Sequence, residues 1–527
     1  MTDKFLNEIG RAYHSHKGEY LTLGAAMLNA EALNGAELNI PLSTLNRHGL
    51  IAGATGTGKT VSLQVLAEQL SLKGVPCLLM DLKGDLSGLG AEGTNNKHIV
   101  KRHSFLSEDW NPDTFPLELL SLGGDEGTRL KATVTEFGPI LMAKILGLND
   151  TQRGILSVIF KYCDDHKLPL IDLKDLKEAL HFSIGEGKSK IQEEYGQISK
   201  VSVSTILRKI LELEQQGADS FFQERSFEVE DLCRTENGKG MISIIRLSMI
   251  KDKPKLFSTF MLSLLAEVYA RFPEEGDLDK PKLCIFIDEA HLIFDEASKE
   301  LLDQIESIIK LIRSKGVGIF FCTQQPTDIP DDVLSQLGLK VQHALRAFTA
   351  KDRKEIKKIS ENFPSSDYYQ VDEVLTQLGI GEAFITALNE KGIPTPLARC
   401  LMRPPKSRMG LLDKKELKAV LNNSELAEKY NEEIDRESAY EILREKISLA
   451  KEEELKSEEI EEIKQVKRKS SKKTDDSIIG QLSKNTMVRQ VGRTVARELM
   501  RGLLGALGVK PRPVSYTHLT LPTTSRV

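Results

Sequence analysis

Two kinds of apolar pattern alternate along the chain. The runs YLTLGAAM (20–27), AELNIPL (36–42), HGLIAG (48–53) and VPCLLMD (75–81) have strand length and are flanked by turn residues, so each predicts a strand. Between the last two lies VSLQVLAEQL (61–70), whose apolar residues recur with helical spacing. ATVTEFGPILMAKILGL (132–148), TQRGILSVIFKYCDDH (151–166) and ISKVSVSTILRKILELEQQ (198–216) place apolar residues three and four apart, so residues 103–235 read as a helical insertion. Strands alternating with helices return in 236–403, where KLCIFID (282–288) and GVGIFFCT (316–323) are continuous apolar runs, as buried strands of a parallel sheet are. The expected fold class is α/β, with a parallel-rich sheet built from 1–102 and 236–403 and interrupted by the insertion.

The character changes after Pro404-Pro405. Residues 404–476 form a charged helical extension and linker, in which 413–476 are dominated by Glu, Lys and Arg and predict exposed helix passing into a flexible linker. Residues 477–512 follow with Arg489, Arg493, Arg497 and Arg501 every four positions, beside an apolar stripe of Val488, Val491, Val495, Leu499 and Leu503. A basic amphipathic helix of this kind can contact a membrane surface, nucleic acid or a neighbouring subunit, the contact falling within 478–508, or pack on its own protein. Residues 513–527 share neither composition nor periodicity with what precedes them and read as a non-native tail.

Composition narrows the class. The 527 residues are 40% hydrophobic, enough for a sizeable core, and no apolar run reaches the length of a membrane span. Six cysteines, at 77, 163, 233, 284, 322 and 400, are widely separated and form no CxxC pair, which disfavours a zinc site or a disulfide framework and fits a reducing cytoplasm. A net charge of −5 gives no general attraction to nucleic acid, so any such contact must be local.

The chemistry concentrates where the third strand meets the first helix of the sheet. Gly53-Ala54-Thr55-Gly56-Thr57-Gly58-Lys59-Thr60 is a phosphate-binding loop in the strand–turn–helix setting it requires. Its glycines let successive N–H groups face phosphate oxygens, and the helix N-terminus adds partial positive charge. Lys59 can reach the β- and γ-phosphates of a nucleoside triphosphate, and the Thr60 hydroxyl can hold Mg²⁺. The strand KLCIFID ends in Asp288-Glu289, which places Asp288 to bind Mg²⁺ and Glu289 to activate the attacking water. A third strand ends in Thr323-Gln324-Gln325-Pro326. There Gln324, nearer the strand end than Gln325, can sense the γ-phosphate, unless the segment is only a Gln-Pro turn leaving the sheet. ATP and Mg²⁺ are the expected cofactors, and hydrolysis is the expected reaction.

GATGTGKT, DLKGD (81–85), the helical insertion, IFIDEAH (285–291), LIRSKGVGIFFCTQQPTDIPDDVLSQLG (311–338) and KVQHALRAFTAKDR (340–353) occur in one order that resembles the HerA/FtsK superfamily of P-loop motors. Within it the chain is most similar to the HerA-like helicases of the bacterial YjgR type, over roughly residues 5–510. The resemblance implies a RecA-like core assembled as a homo-oligomeric ring, usually a hexamer, that moves double-stranded DNA or a related polymer. The fifty-two residues ahead of the loop are fewer than the β-barrel of HerA proper requires. By the same resemblance Arg346 matches a finger position serving a neighbouring subunit's ATP, with Arg313 as runner-up finger or phosphate contact; as plain residues Arg346 reads as a paired surface arginine and Arg313 as a helix C-terminal charge. The residues alone leave a second class open, a ring ATPase that acts on protein or a scaffold whose assembly nucleotide controls.

Overall fold

The computed structural model describes residues 1–14, 17–122, 126–247, 253–276, 278–294, 299–434 and 436–470. The chain divides into a compact unit of residues 1–447 and a second unit of residues 448–527. The basic stretch 477–512, with Arg489, Arg493, Arg497 and Arg501, and the tail 513–527 lie outside the described residues.

Fourteen strands are formed among the described residues. β1 (Tyr20–Leu28) and β2 (Glu31–Pro41) make a hairpin turned by Asn29 and Ala30, both at positive φ, as a two-residue turn of this hand requires. β3 (Gly49–Ala52), β4 (Cys77–Asp81), β5 (Leu117–Ser121) and β6 (Thr128–Arg129) follow. β7 (Thr235–Glu236) and β8 (Lys239–Gly240) form a small separate ribbon. β9 (Ile242–Arg246), β10 (Leu283–Ile287), β11 (Val317–Thr323), β12 (Leu339–His343), β13 (Glu382–Thr386) and β14 (Ala398–Met402) complete the set. Twelve of them form one sheet in the order β2-β1-β14-β13-β12-β3-β11-β10-β4-β9-β5-β6. From β12 to β6 every neighbouring pair is parallel, whereas β13, β14, β1 and β2 add an antiparallel flank.

The sheet is covered on both faces, which explains the unbroken apolar runs. Every residue of β10 and β11 is buried. Alternate residues serve opposite faces: Leu78, Met80, Ile285 and Phe321 join one core, while Leu79, Phe286, Phe320 and Cys322 join the other. Phe286 and Phe320 stack at 4.8 Å between ring centroids. Fully burying such a side chain contributes roughly 1.5–3 kcal/mol.

α1 (Thr2–Tyr13), which no strand-oriented reading of the first hundred residues anticipates, buries Phe5, Ile9 and Tyr13 on one stripe. It is pinned where Tyr13 Oη donates to Pro396 O at 2.7 Å. α2 (Lys59–Leu72) follows the phosphate loop and α3 (Lys97–His103) carries Arg102. The helical segment is α4 (Val134–Ile145), α5 (Asp150–Asp165), α6 (Leu173–Ile184), α7 (Lys188–Tyr195) and α8 (Lys200–Gln215). Reciprocal capping boxes start three of them, Thr133 with Glu136, Asn149 with Gln152 and Asp172 with Asp175. Their apolar faces share a core with the sheet. Within the stretch expected to be helical, Leu117–Ser121 is instead a sheet strand, because LELLS is short and pairs with β9.

The second half adds α9 (Pro254–Arg271), α10 (His291–Phe294), α11 (Lys299–Ile312), α12 (Asp331–Leu334), α13 (Ala350–Ser360) and α14 (Val371–Gln377). α15 (Lys414–Asn422), α16 (Glu425–Tyr430) and α17 (Ala439–Ser470) lie in the charged extension. That extension is less exposed than its composition suggests: Leu426, Tyr430, Ala439 and Leu443 are buried. Residues 404–412 run as a strap along α2, where buried Glu68 accepts hydrogen bonds from Lys406 N at 2.8 Å and Ser407 N at 2.9 Å.

Candidate functional site

The parallel strands direct their carboxyl ends to one edge, where open α/β sheets bind ligands. β3 lies between β12 and β11, and β11 separates it from β10. The residues that follow these four strands therefore converge around the phosphate loop.

The loop itself is shaped by its glycines. Gly56 at φ 77° and Gly58 at φ 112° occupy conformations that side chains resist. A Cβ on Gly58 would also approach Gly381 N to 3.2 Å, while one on Gly56 would meet nothing within 4 Å, so the mouth of the loop is open. Gly58 caps α2 without any side-chain hydrogen bond, which leaves the first-turn N–H groups to an outside acceptor. Lys59 is buried and donates from Nζ to Gly53 O at 2.6 Å and Ala54 O at 3.2 Å. Burial lowers its pKa. An open loop of N–H donors around a desolvated ammonium fits a polyphosphate.

Asp288 and Glu289 are 5% and 7% exposed at the end of β10. Glu289 has φ 49°, a left-handed conformation that costs a non-glycine residue about 1–3 kcal/mol. The neighbour that organises this pair is Lys83, whose Nζ lies 2.6 Å from Glu289 Oε1 and 3.7 Å from Asp288 Oδ2. Burial opposes charge on Glu289, but the ion pair with Lys83, aided by His291 and the Gln324 amide, outweighs it and holds the carboxyl below its ordinary pKa. For Asp288 burial wins and the pKa is raised, against the pull of Lys83. Glu289 Oε2 makes no hydrogen bond among the described residues and lies 3.5 Å from His291 Nδ1. One oxygen of the carboxylate is thus held by Lys83, and the other is buried without a hydrogen bond among the described residues.

Gln324 is exposed at the tip of β11, near Glu289. Gln325 is also exposed; its N–H donates to Asp328 Oδ2 at 3.0 Å and its Oε1 accepts from Thr327 Oγ1 at 3.4 Å. Thr60 lies in the first turn of α2. Among the described residues no group of three or more His, Cys, Asp or Glu could hold a metal. The hydroxyl of Thr60 and the carboxylate of Asp288 suit Mg²⁺, which takes few protein ligands and fills its shell with phosphate oxygens and water. Arg346 is exposed in the loop after β12, and that loop touches the phosphate loop, with Ala54 N donating to Ala344 O at 2.8 Å. Arg313 lies just before β11, at the opposite end of the sheet from this edge.

Two residues here escaped sequence reasoning. Lys83 had a legible signal, a lysine just past a strand end in the motif DLKGD, but nothing in sequence told which carboxylates it faces. His343 closes β12 beneath the loop, sharing hydrogen bonds with Ser62 Oγ at 2.9 Å and Glu382 O at 2.9 Å. Burial lowers its pKa to about 4, so it is neutral. A lone histidine at a strand end carries no such message by itself.

Comparison with known proteins matches the family described as helicase HerA-like C-terminal to residues 26–512. A probable helicase of Methanocaldococcus jannaschii is 26% identical over 389 residues, 67% of this chain and 65% of that protein. The DNA double-strand break repair helicase HerA of Sulfolobus acidocaldarius is 23% identical over 384 residues, 69% of this chain and 66% of that protein. The chain thus spans just under two thirds of the relatives' length. Among solved structures, the plasmid coupling protein TrwB with a non-hydrolysable ATP analogue is similar at 15% identity and a TM-score of 0.49, over 76% of this chain and 99% of that one. No described helix is long and apolar enough to cross a membrane.

Proposed function

The chain belongs to the helicase HerA-like C-terminal family, a RecA-like α/β P-loop fold, and from that premise we propose an Mg²⁺-dependent ATPase that drives movement of double-stranded DNA. The observation that carries this reading is the meeting, at one sheet edge, of a phosphate loop with a buried Asp-Glu pair. Gly53 to Thr60 would bind the phosphates, and Lys59 would exchange its loop carbonyls for phosphate oxygens. Thr60 and Asp288 would hold Mg²⁺, which neutralises charge on the transferring phosphoryl group when bound. Glu289, whose Oε2 makes no hydrogen bond among the described residues, would take a proton from water, and Gln324 would orient that water or the γ-phosphate. Relatives named as helicases, one of them for DNA double-strand break repair, support DNA as the polymer.

The same reading includes a homo-oligomeric ring, a hexamer by family analogy, in which exposed Arg346 serves the next subunit's nucleotide. A cytoplasmic location accords with it. The test compares ATPase rates with double-stranded DNA, single-stranded DNA, RNA and unfolded protein. Stimulation highest with double-stranded DNA is expected. Stimulation by unfolded protein alone would refute the DNA reading and favour a ring ATPase or nucleotide-controlled scaffold acting on protein.

A further inference from the structure

Lys83 owes its place to a turn wound around one carboxylate. Asp81 ends β4 and is 2% exposed; its Oδ1 accepts from Gly84 N at 2.6 Å and Asp85 N at 3.2 Å, and its Oδ2 from Leu86 N at 3.0 Å. Gly84 supplies the φ of 78° that the turn needs. β4 and β10 are paired in parallel, so this turn stands beside the end of β10. Lys83 thereby reaches both Glu289, at 2.6 Å, and Asp288, at 3.7 Å.

Two adjacent carboxylates this deeply buried need a countercharge, because each raises the cost of ionising the other. Lys59 interacts electrostatically with both carboxylates but donates its hydrogen bonds to its own loop carbonyls. The His291 contact, at 3.5 Å, contributes charge only when protonated. Among the described residues, Lys83 is therefore the cation in direct contact with both carboxylates. Its side chain is 40% exposed, so it has a route out to solvent. A Mg²⁺ ion held by Asp288 would stand beside the same ammonium, and two cations a few ångströms apart repel.

We propose that Lys83 is a displaceable counterion that competes with Mg²⁺ for Asp288, so that metal entry and the freeing of Glu289 are one event. This rests on the reading of the site as a Mg²⁺-nucleotide site. Lys83 is a positioning residue in this scheme, acting through the two carboxylates.

The test uses the full chain and a fluorescent ADP, mant-ADP, whose binding is titrated against Mg²⁺ for wild type, Lys83→Met and Lys83→Arg. Removing the competitor lowers the Mg²⁺ concentration for half-maximal binding by about fivefold in Lys83→Met, the upper range for a half-exposed ion pair. Lys83→Arg keeps the charge and stays near wild type. Melting in EDTA falls in Lys83→Met, and saturating Mg²⁺ with ADP restores most of the difference. Should Lys83→Met fail to fold without nucleotide, Lys83→Gln carries the same expectation. An unchanged or increased Mg²⁺ requirement in the neutral variants overturns the proposal, since Lys83 would then be structural or would assist the metal. A wild type that binds no mant-ADP at any Mg²⁺ concentration overturns the nucleotide reading together with it.

Discussion

Replacing Glu289 by Gln separates binding from chemistry at this site. The amide is nearly the same size and keeps an acceptor for Lys83 Nζ, which lies 2.6 Å from Glu289 Oε1. The 81–86 turn is held by Asp81 and does not depend on Glu289. The side chain loses one ion pair whose lysine is 40% exposed, worth at most about 1 kcal/mol, so affinity shifts by no more than roughly fivefold. What chemistry loses is the proton acceptor, and removal of one general base lowers a rate by about 10²–10⁴-fold. The two effects differ by more than a decade, so they can be told apart. A coupled ATPase assay gives kcat, and mant-ADP fluorescence gives affinity. Turnover within about tenfold of wild type, or affinity falling in step with kcat, would refute the assignment of Glu289 as base.

Glu68→Gln should lower stability by about 1–3 kcal/mol, because the amide cannot accept from both Lys406 N and Ser407 N and leaves a buried donor unpaired; an unchanged melting temperature would contradict this, and earlier proteolysis within 404–412 is expected alongside. His48 is buried between Ile309 O and Ile319 N with its pKa lowered to about 4 by burial. A depressed histidine pKa stabilises the fold above the unfolded value of about 6.5 and loses that stabilisation as pH falls toward 4, so stability should drop more steeply below pH 6.5 in wild type than in His48→Gln; parallel curves would count against it. If Arg346 acts on a neighbouring subunit, co-expressed Arg346→Ala and Glu289→Gln should recover activity that neither shows alone, since some interfaces then pair an intact Glu289 with an intact Arg346. No recovery, with mixed assemblies demonstrated, would place both residues at one subunit's site.

Much of this site was legible because its chemistry is local in sequence. The loop 53–60 carries its own glycines, lysine and helix, and Asp288-Glu289 carries its own apolar strand. Gln324 was preferred over Gln325 only by nearness to the strand end; both are exposed, and Gln325 donates its N–H to Asp328 Oδ2. The misses are of another kind. Strand β5 hides in a stretch dominated by helices because its five residues carry no periodicity of their own and acquire a strand's role only by pairing with β9. The charged extension read as exposed because most of its residues are polar, yet its first part buries Leu426, Tyr430, Ala439 and Leu443. Lys83 was visible as a lysine and invisible as a partner, since it meets Glu289 across more than two hundred residues of chain through the β4–β10 pairing.

That same dependence on strand pairing binds the phosphate loop to the segments on either side. Gly53 N donates to Thr323 O at 3.2 Å, Ala54 N to Ala344 O at 2.8 Å, and Gly381 N to Thr57 O at 2.9 Å. A Cβ at Gly53 would stand 2.5 Å from His343 Cβ, so the loop and the end of β12 are packed without slack. Arg102 braces the far side by donating to Gly381 O at 2.9 Å and Ile380 O at 2.7 Å. Three of these contacts lead, within two residues, to Gln324, Arg346 or the 380–381 turn. Backbone hydrogen bonds of this length tolerate little displacement before they weaken. A phosphate that draws the loop's N–H groups inward must therefore strain or shift its neighbours. If nucleotide binds this loop, the strand order β12-β3-β11-β10 would connect its occupancy to exposed Arg346 on one side and to Gln324 beside Glu289 on the other.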